Sequence, residues 1–152
     1  MQRVLRAVSM QQYVGSGLAA RKLLTDESNT VCILAIGKMV GASLDAAALL
    51  AAKGISATVW DVRSCAPLDQ SMIDNAATHH VVVTVEDGIR EGGIGMTIED
   101  LVSHATGSHR PSIEVLGIPK QFIPQAKPDA ILSRLGLNAE GIAATVQRLA
   151  RK

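Results

Sequence analysis

Aromatic side chains are nearly missing: Trp60, Tyr13 and Phe122 make up 2% of the 152 residues. A chain this poor in rings has no row of stacking platforms for nucleic-acid bases. An excess of one charge is missing too. Fifteen Lys and Arg stand against fourteen Asp and Glu, for a formal net charge of +1, so no overall field draws in nucleic acid or an anionic membrane. No run of about 18 apolar residues occurs, so no segment reads as a membrane-spanning helix. The two cysteines, Cys32 and Cys65, form no C-x-x-C pair and lack a histidine at ligand spacing. They read as reduced thiols of a cytosol-like compartment. Partners are therefore expected to be neither nucleic acid nor membrane, and the location cytoplasmic.

Catalytic signatures are equally scarce. No G-x-S-x-G, H-E-x-x-H or G-x-x-x-x-G-K-[ST] occurs in the chain. His79 and His80 are adjacent at a predicted strand start, so their side chains point to opposite faces and cannot share one ion. His104 and His109 have no carboxylate or cysteine at ligand spacing. No catalytic, cofactor-binding or metal-ligating residue is assigned from these patterns.

What the chain does have is apolar periodicity. Hydrophobic residues make up 47% and charged residues 19%, and the length matches the roughly 150 residues of a single domain. Residues 1–29, basic at Arg3, Arg6, Arg21 and Lys22 with the first acid at Asp26, read as a lead-in or linker, and residues 30–152 as the domain. Val31 to Ile36 is a continuous apolar run closed by Gly37, as expected of a strand buried on both faces of a parallel sheet. Val40, Leu44, Ala47, Ala48 and Ala51 follow with helical spacing, and Gly54 stands where a left-handed C-terminal cap belongs. Ile55 to Asp61 reads as the next strand.

The cycle then repeats. Asp69 is a candidate N-cap for a helix with Met72, Ile73, Ala76 and Ala77 on its buried stripe. His80 to Glu86 is a third strand, and Ile94, Ile98, Leu101, Val102 and Ala105 mark a third helix. Ser112 to Leu116 is a fourth strand. Pro128 opens a short helix ended by Gly136, and Asn138 caps a last one carrying Ile142, Ala143, Val146, Leu149 and Ala150. Strands and helices alternating in this way predict an α/β fold: a single three-layer domain with a mostly parallel open sheet.

Two turns lie where such folds place ligands. Gly37, with Asp61 at the tip of the next strand, has the outline of a dinucleotide site, but Ile36 to Gly41 has two glycines and not G-x-G-x-x-G. Met39 would obstruct a pyrophosphate, and Asp61 then reads as an exposed strand-end carboxylate. The second turn runs from Glu86 to Gly95, after a central strand. Its glycines suit close packing or an interface, its position suits a loop facing a site completed by another domain, and its helix N-terminus suits an anion. Glu86, Asp87 and Glu91 oppose that last use.

The order of blocks resembles one family. Leu34-Ala35-Ile36-Gly37 precedes Val59-Trp60-Asp61-Val62-Arg63 and Pro67-Leu68-Asp69. Thr84-Val85-Glu86-Asp87-Gly88 with Gly92-Gly93-Ile94-Gly95 comes next, and Leu116-Gly117-Ile118-Pro119 with Phe122-Ile123-Pro124 after it. The set is similar to the C-terminal domain of the 1-deoxy-D-xylulose-5-phosphate synthases, thiamine-diphosphate enzymes of the transketolase family, over about residues 30–150. At Gln125-Ala126-Lys127 the chain departs from the histidine and glycine of many relatives.

The resemblance implies a transketolase C-terminal-domain-like fold. It also implies an intact relative that condenses pyruvate with glyceraldehyde 3-phosphate, loses carbon dioxide, and serves isoprenoid biosynthesis. In that relative thiamine diphosphate and magnesium sit in two preceding domains, so this chain alone is expected to bind neither and to be inactive. The expected role is subunit assembly, with a second copy or the companion cofactor-binding domains as partners and a dimer as the assembly. Glu86, Asp87, Gly92, Gly93 and Gly95 are the candidate interface loop. The alternative is a stand-alone partner-binding or regulatory module that kept the fold.

Overall fold

The computed structural model describes residues 19–105 and 107–151. Five strands form one sheet: β1 (Arg21–Leu24), β2 (Val31–Ala35), β3 (Thr58–Asp61), β4 (Val81–Ile89) and β5 (Ser112–Ile118). Five helices join them: α1 (Met39–Ala51), α2 (Gln70–Ala77), α3 (Ile94–Ala105), α4 (Pro128–Arg134) and α5 (Ala139–Ala150). The spatial order is β1-β3-β2-β4-β5. β2 runs parallel to β3 and to β4, and β4 parallel to β5. Ile33 lies between Val59 on one side and Val83 on the other.

Burial explains why the middle of the sheet reads as unbroken apolar sequence. All of β2 is buried, and β4 is buried from Val81 to Glu86, because helices cover both faces. Val31, Ile33, Val59, Val81, Val83 and Val85 pack with residues of α1 and α5. Cys32, Leu34, Trp60 and Val82 point the other way, into a core with Met72 and Ile73 of α2 and Ile98 and Val102 of α3. The result is the expected three-layer α/β domain with a mostly parallel sheet.

Several expectations need correction. Residues 21–24, placed by sequence within the lead-in, form β1, which pairs antiparallel with β3 as Arg21 opposite Asp61 and Lys22 opposite Trp60. Residues 1–18 of that segment lie outside the described residues. Because β1 covers the edge of β3, Asp61 is half-buried and not exposed. The stripe of α1 is rotated by one position: Met39, Ser43, Ala46, Ala47 and Leu50 are buried, while Ala48 and Ala51 are exposed. Leu101 and Ala105 of α3 and Ala150 of α5 also face solvent. β3 begins at Thr58 and not Ile55, and β4 runs from Val81 to Ile89, displaced at both ends from His80 to Glu86.

The caps match the expected ones. The Asp69 carboxylate accepts hydrogen bonds from the N–H groups of Ser71 and Met72, and Asn138 accepts one from the N–H of Gly141. Gly54 closes α1 with φ at +78°.

Candidate functional site

The sheet direction switches at β2: the chain passes to β3 on one side and later returns to β4 on the other. Ligands of open α/β sheets bind beyond the strand ends at such a point. Here the ends of β2 and β4 stay tied, the N–H of Ile36 donating to the carbonyl of Val85 at 2.9 Å. The Gly37 turn and the Glu86 to Gly95 loop are thus neighbours at this switch point.

The loop is built around a buried carboxylate. Glu86 is 6% exposed, and its Oε1 accepts the N–H of Gly95 at 3.0 Å. Gly95 lies in the first turn of α3, where N–H groups have no partner within the helix. Glu86 therefore caps α3 from the neighbouring strand, placing negative charge at the positive end of the helix dipole. A Cβ on Gly93 would meet the Ile89 carbonyl oxygen, and would stand 2.5 Å from Glu86 Oε1. A Cβ on Gly95 would lie 2.6 Å from Thr84 Oγ1 and 2.7 Å from Val115 Cγ1. These two glycines let α3 begin directly on top of β4 and β5.

The candidate interface residues divide accordingly. Glu86 and Gly95 are buried and Gly93 half-buried, whereas Asp87 and Gly92 lie at the surface. Glu91 is exposed, bridged to Arg90 at 2.7 Å. Its second oxygen accepts the N–H of Lys120 at 2.9 Å. The Arg90 hydrogen bond and then the backbone donors hold the Glu91 carboxyl below its ordinary pKa. Ile89 and Met96, 53% and 46% exposed, flank the loop.

The Gly37 turn opens differently. Lys38 Nζ stands 3.5 Å from Asp129 Oδ1, beside a cleft of about 400 Å³ lined by Met39, Asp45 and Asn138 among others. A single amine faces two carboxylates there, with no nucleophile and base in reach of one another.

The histidines also separate. His79 is wholly buried and His80 exposed, as expected of neighbours pointing opposite ways. His109 Nε2 donates to the His79 carbonyl at 2.8 Å. Among the described residues no group of three or more His, Cys, Asp or Glu is placed to hold a metal ion. Both cysteines are free, and burial pushes the Cys32 thiol well above its ordinary pKa.

The burial of a second carboxylate was also hidden from sequence reading. Asp26, 2% exposed, accepts hydrogen bonds from Ser28 Oγ at 2.6 Å and from the N–H groups of Ser28 and Thr30 at 3.0 and 2.9 Å. Burial works against its charge, but these donors prevail and hold its carboxyl below the ordinary range. The spacing Asp26, Ser28, Thr30 is a turn signal that could have revealed it.

The fold and loop first define a class: an open α/β domain, mostly parallel and covered on both faces, whose strand-end loop is capped by its own carboxylate. Residues 21–142 match the family described as transketolase, C-terminal domain, and the chain belongs to that family. It is 38% identical over 146 residues to 1-deoxy-D-xylulose-5-phosphate synthase 1 of Kitasatospora griseola, which covers 96% of this chain and 22% of that protein. It is 41% identical over 117 residues to the synthase of Leifsonia xyli subsp. xyli, covering 77% of this chain and 18% of that one.

Among solved structures, a split gene transketolase described as an inactive beta4 tetramer aligns with a TM-score of 0.79 at 28% identity. The match covers 97% of this chain and 47% of that one. A transketolase from Pichia stipitis, with a TM-score of 0.63 at 17% identity, covers 97% of this chain and 20% of that one and shows the fold alone. The chain spans about a fifth of the length of the synthases it matches.

Proposed function

We propose that this chain is the C-terminal domain of a 1-deoxy-D-xylulose-5-phosphate synthase-like, thiamine-diphosphate-dependent transferase, present in the cytoplasm and serving subunit assembly. The observation that carries the reading is the pairing of synthase-level identity over most of this chain with only about a fifth of a synthase's length. The split gene transketolase supports it, since that relative is described as an inactive tetramer.

Among the described residues, those at the switch point do not fit the cofactor. A diphosphate with magnesium needs free N–H donors and oxygen ligands for the cation. At the switch point the Gly95 N–H is taken by Glu86, and Asp87 and Glu91 add negative charge that repels a phosphate. Thiamine diphosphate is therefore assigned to companion domains. The partner surface in this reading is the outer side of the 86–95 loop, with Asp87 and Gly92 presented to a second copy or to those domains, and Glu86, Gly93 and Gly95 bracing it from beneath.

The test is calorimetry of the chain with thiamine diphosphate and magnesium, together with an assay of pyruvate decarboxylation. The expected result is no binding and no turnover above a protein-free blank. Micromolar binding of the cofactor, or turnover by the chain alone, would overturn the proposal.

A further inference from the structure

A directional hydrogen-bond relay runs beneath the edge strand β1. The Asn75 carbonyl can only accept, so His79 Nδ1, 2.8 Å away, carries the proton. His79 Nε2 is then an acceptor, and Thr58 Oγ1 donates to it at 3.0 Å. The same Thr58 oxygen accepts the N–H of Asp26 at 2.9 Å. Within it His79 and Thr58 each donate once and accept once, between the Asp26 N–H at one end and the Asn75 carbonyl at the other. The relay joins the end of α2, strand β3, and the turn that follows β1.

We propose that His79 is a pH-sensitive latch for this edge: the neutral imidazole holds β1 onto β3 through Thr58 and Asp26, and its protonation lets that edge open. An imidazolium would turn an N–H toward the Thr58 hydroxyl, which would lose its acceptor, and would place a charge at a site with no exposure. Among the described residues β1 has one sheet neighbour, β3. The segment entering β1 is anchored by the Ala20 N–H on Asp69 Oδ2 at 2.9 Å and by Arg63 on the Ala19 carbonyl at 3.3 Å. The Asp69 carboxyl, held low first by Ser71 and also by Ala20, stays ionised in mild acid, as does Asp26.

The charged or titratable groups facing His79 are Asp26 from the turn after β1, which favours the imidazolium, and Lys22 of β1, which opposes it. His109 touches its carbonyl, and His80 adjoins it. Thr58 of β3 and Asn75 of α2 are neutral. Burial outweighs the favourable contacts, and the ring titrates below its ordinary range.

Amide hydrogen exchange at pH 7.5 and 5.5, corrected for intrinsic rates, tests this on the whole chain. An opened edge whose histidine titrates near an ordinary value of about 6.5 gains about tenfold in population over that interval. Protection of Lys22, Leu24 and Asp26 should therefore fall about tenfold relative to that of β2 and β4. His79→Gln should remove the pH dependence. Thr58→Val, which keeps the histidine but deletes the relay, should leave β1 weakly protected at both pH values. Three results would overturn the proposal: β1 protection that does not change with pH in the parent, an equal loss in all strands, or a His79→Gln protein that still shows the tenfold loss.

Discussion

Two glycines, each in the first turn of a helix, should respond in opposite ways to the same added methyl group. Gly41 of α1 is exposed, and a Cβ built there meets nothing within 4 Å. Gly41→Ala should gain about 0.5–1 kcal/mol, the ordinary difference in helix propensity between the two residues. Gly95 of α3 carries the same propensity benefit, but its Cβ would stand 2.6 Å from Thr84 Oγ1 and 2.7 Å from Val115 Cγ1. Thr84 is wholly buried, and both side chains are short and branched, so neither has a flexible end to swing aside. Overpacking of this kind costs about 1–3 kcal/mol. Because the propensity terms cancel, Gly95→Ala should be less stable than Gly41→Ala by about that amount. Urea unfolding of both variants, with the dependence on denaturant unchanged from the parent, measures the difference directly. Equal gains in the two proteins would refute the claim that α3 is seated on β4 through its glycines.

Glu86→Ala should cost about 1–3 kcal/mol, because the first turn of α3 then buries an N–H without its acceptor; a denaturation midpoint equal to the parent's would show that the carboxylate is dispensable. Ile98→Ala, in the core between α3 and the sheet, should cost about 2–5 kcal/mol in the same assay, and a loss below about 1 kcal/mol would contradict its placement. Asp69→Ala removes an N-cap and the anchor of Ala20, and should cost about 0.5–2 kcal/mol. The carboxyls of Asp26 and Asp69 are held below the ordinary value of 3.8 in the folded chain. The unfolded chain therefore takes up protons first, so their contribution is present above pH 3.8 and is lost as pH falls through the lower folded values. Urea midpoints that stay level down to pH 3 would count against this.

The helix starts were legible because Asp69 and Asn138 are followed at once by stripes that only one face can bury. β2 was legible because an apolar strand with helices on both faces leaves no polar positions to confuse it. α1 was legible as a helix but not in its rotation, since alanines at 46, 47, 48 and 51 offer two stripes of nearly equal apolarity. β1 was not legible at all. Arg21-Lys22-Leu23-Leu24 has no alternation, and its strand character comes from the free edge of β3, Lys22 lying 5.0 Å from the Trp60 ring centre, and the anchors at Ala20 and Asp26. The 86–95 loop was found from its glycines and its place after a central strand. The burial of Glu86 was hidden, because a carboxylate beside Asp87 looks solvated until the space left by Gly93 and Gly95 is seen.

A domain exchange tests the assembly role most directly. Residues 21–150 of this chain would replace the matching C-terminal domain of the Kitasatospora griseola synthase, and the chimera would be compared with the intact synthase and with a version lacking that domain. The measurement is formation of 1-deoxy-D-xylulose 5-phosphate from pyruvate and glyceraldehyde 3-phosphate, run beside sedimentation of the same samples. The chimera is expected to assemble as the intact synthase does and to turn over, while the version without the domain does neither. A truncated enzyme that assembles and turns over without the domain, or a folded chimera that stays unassembled and inactive, would contradict the assembly role.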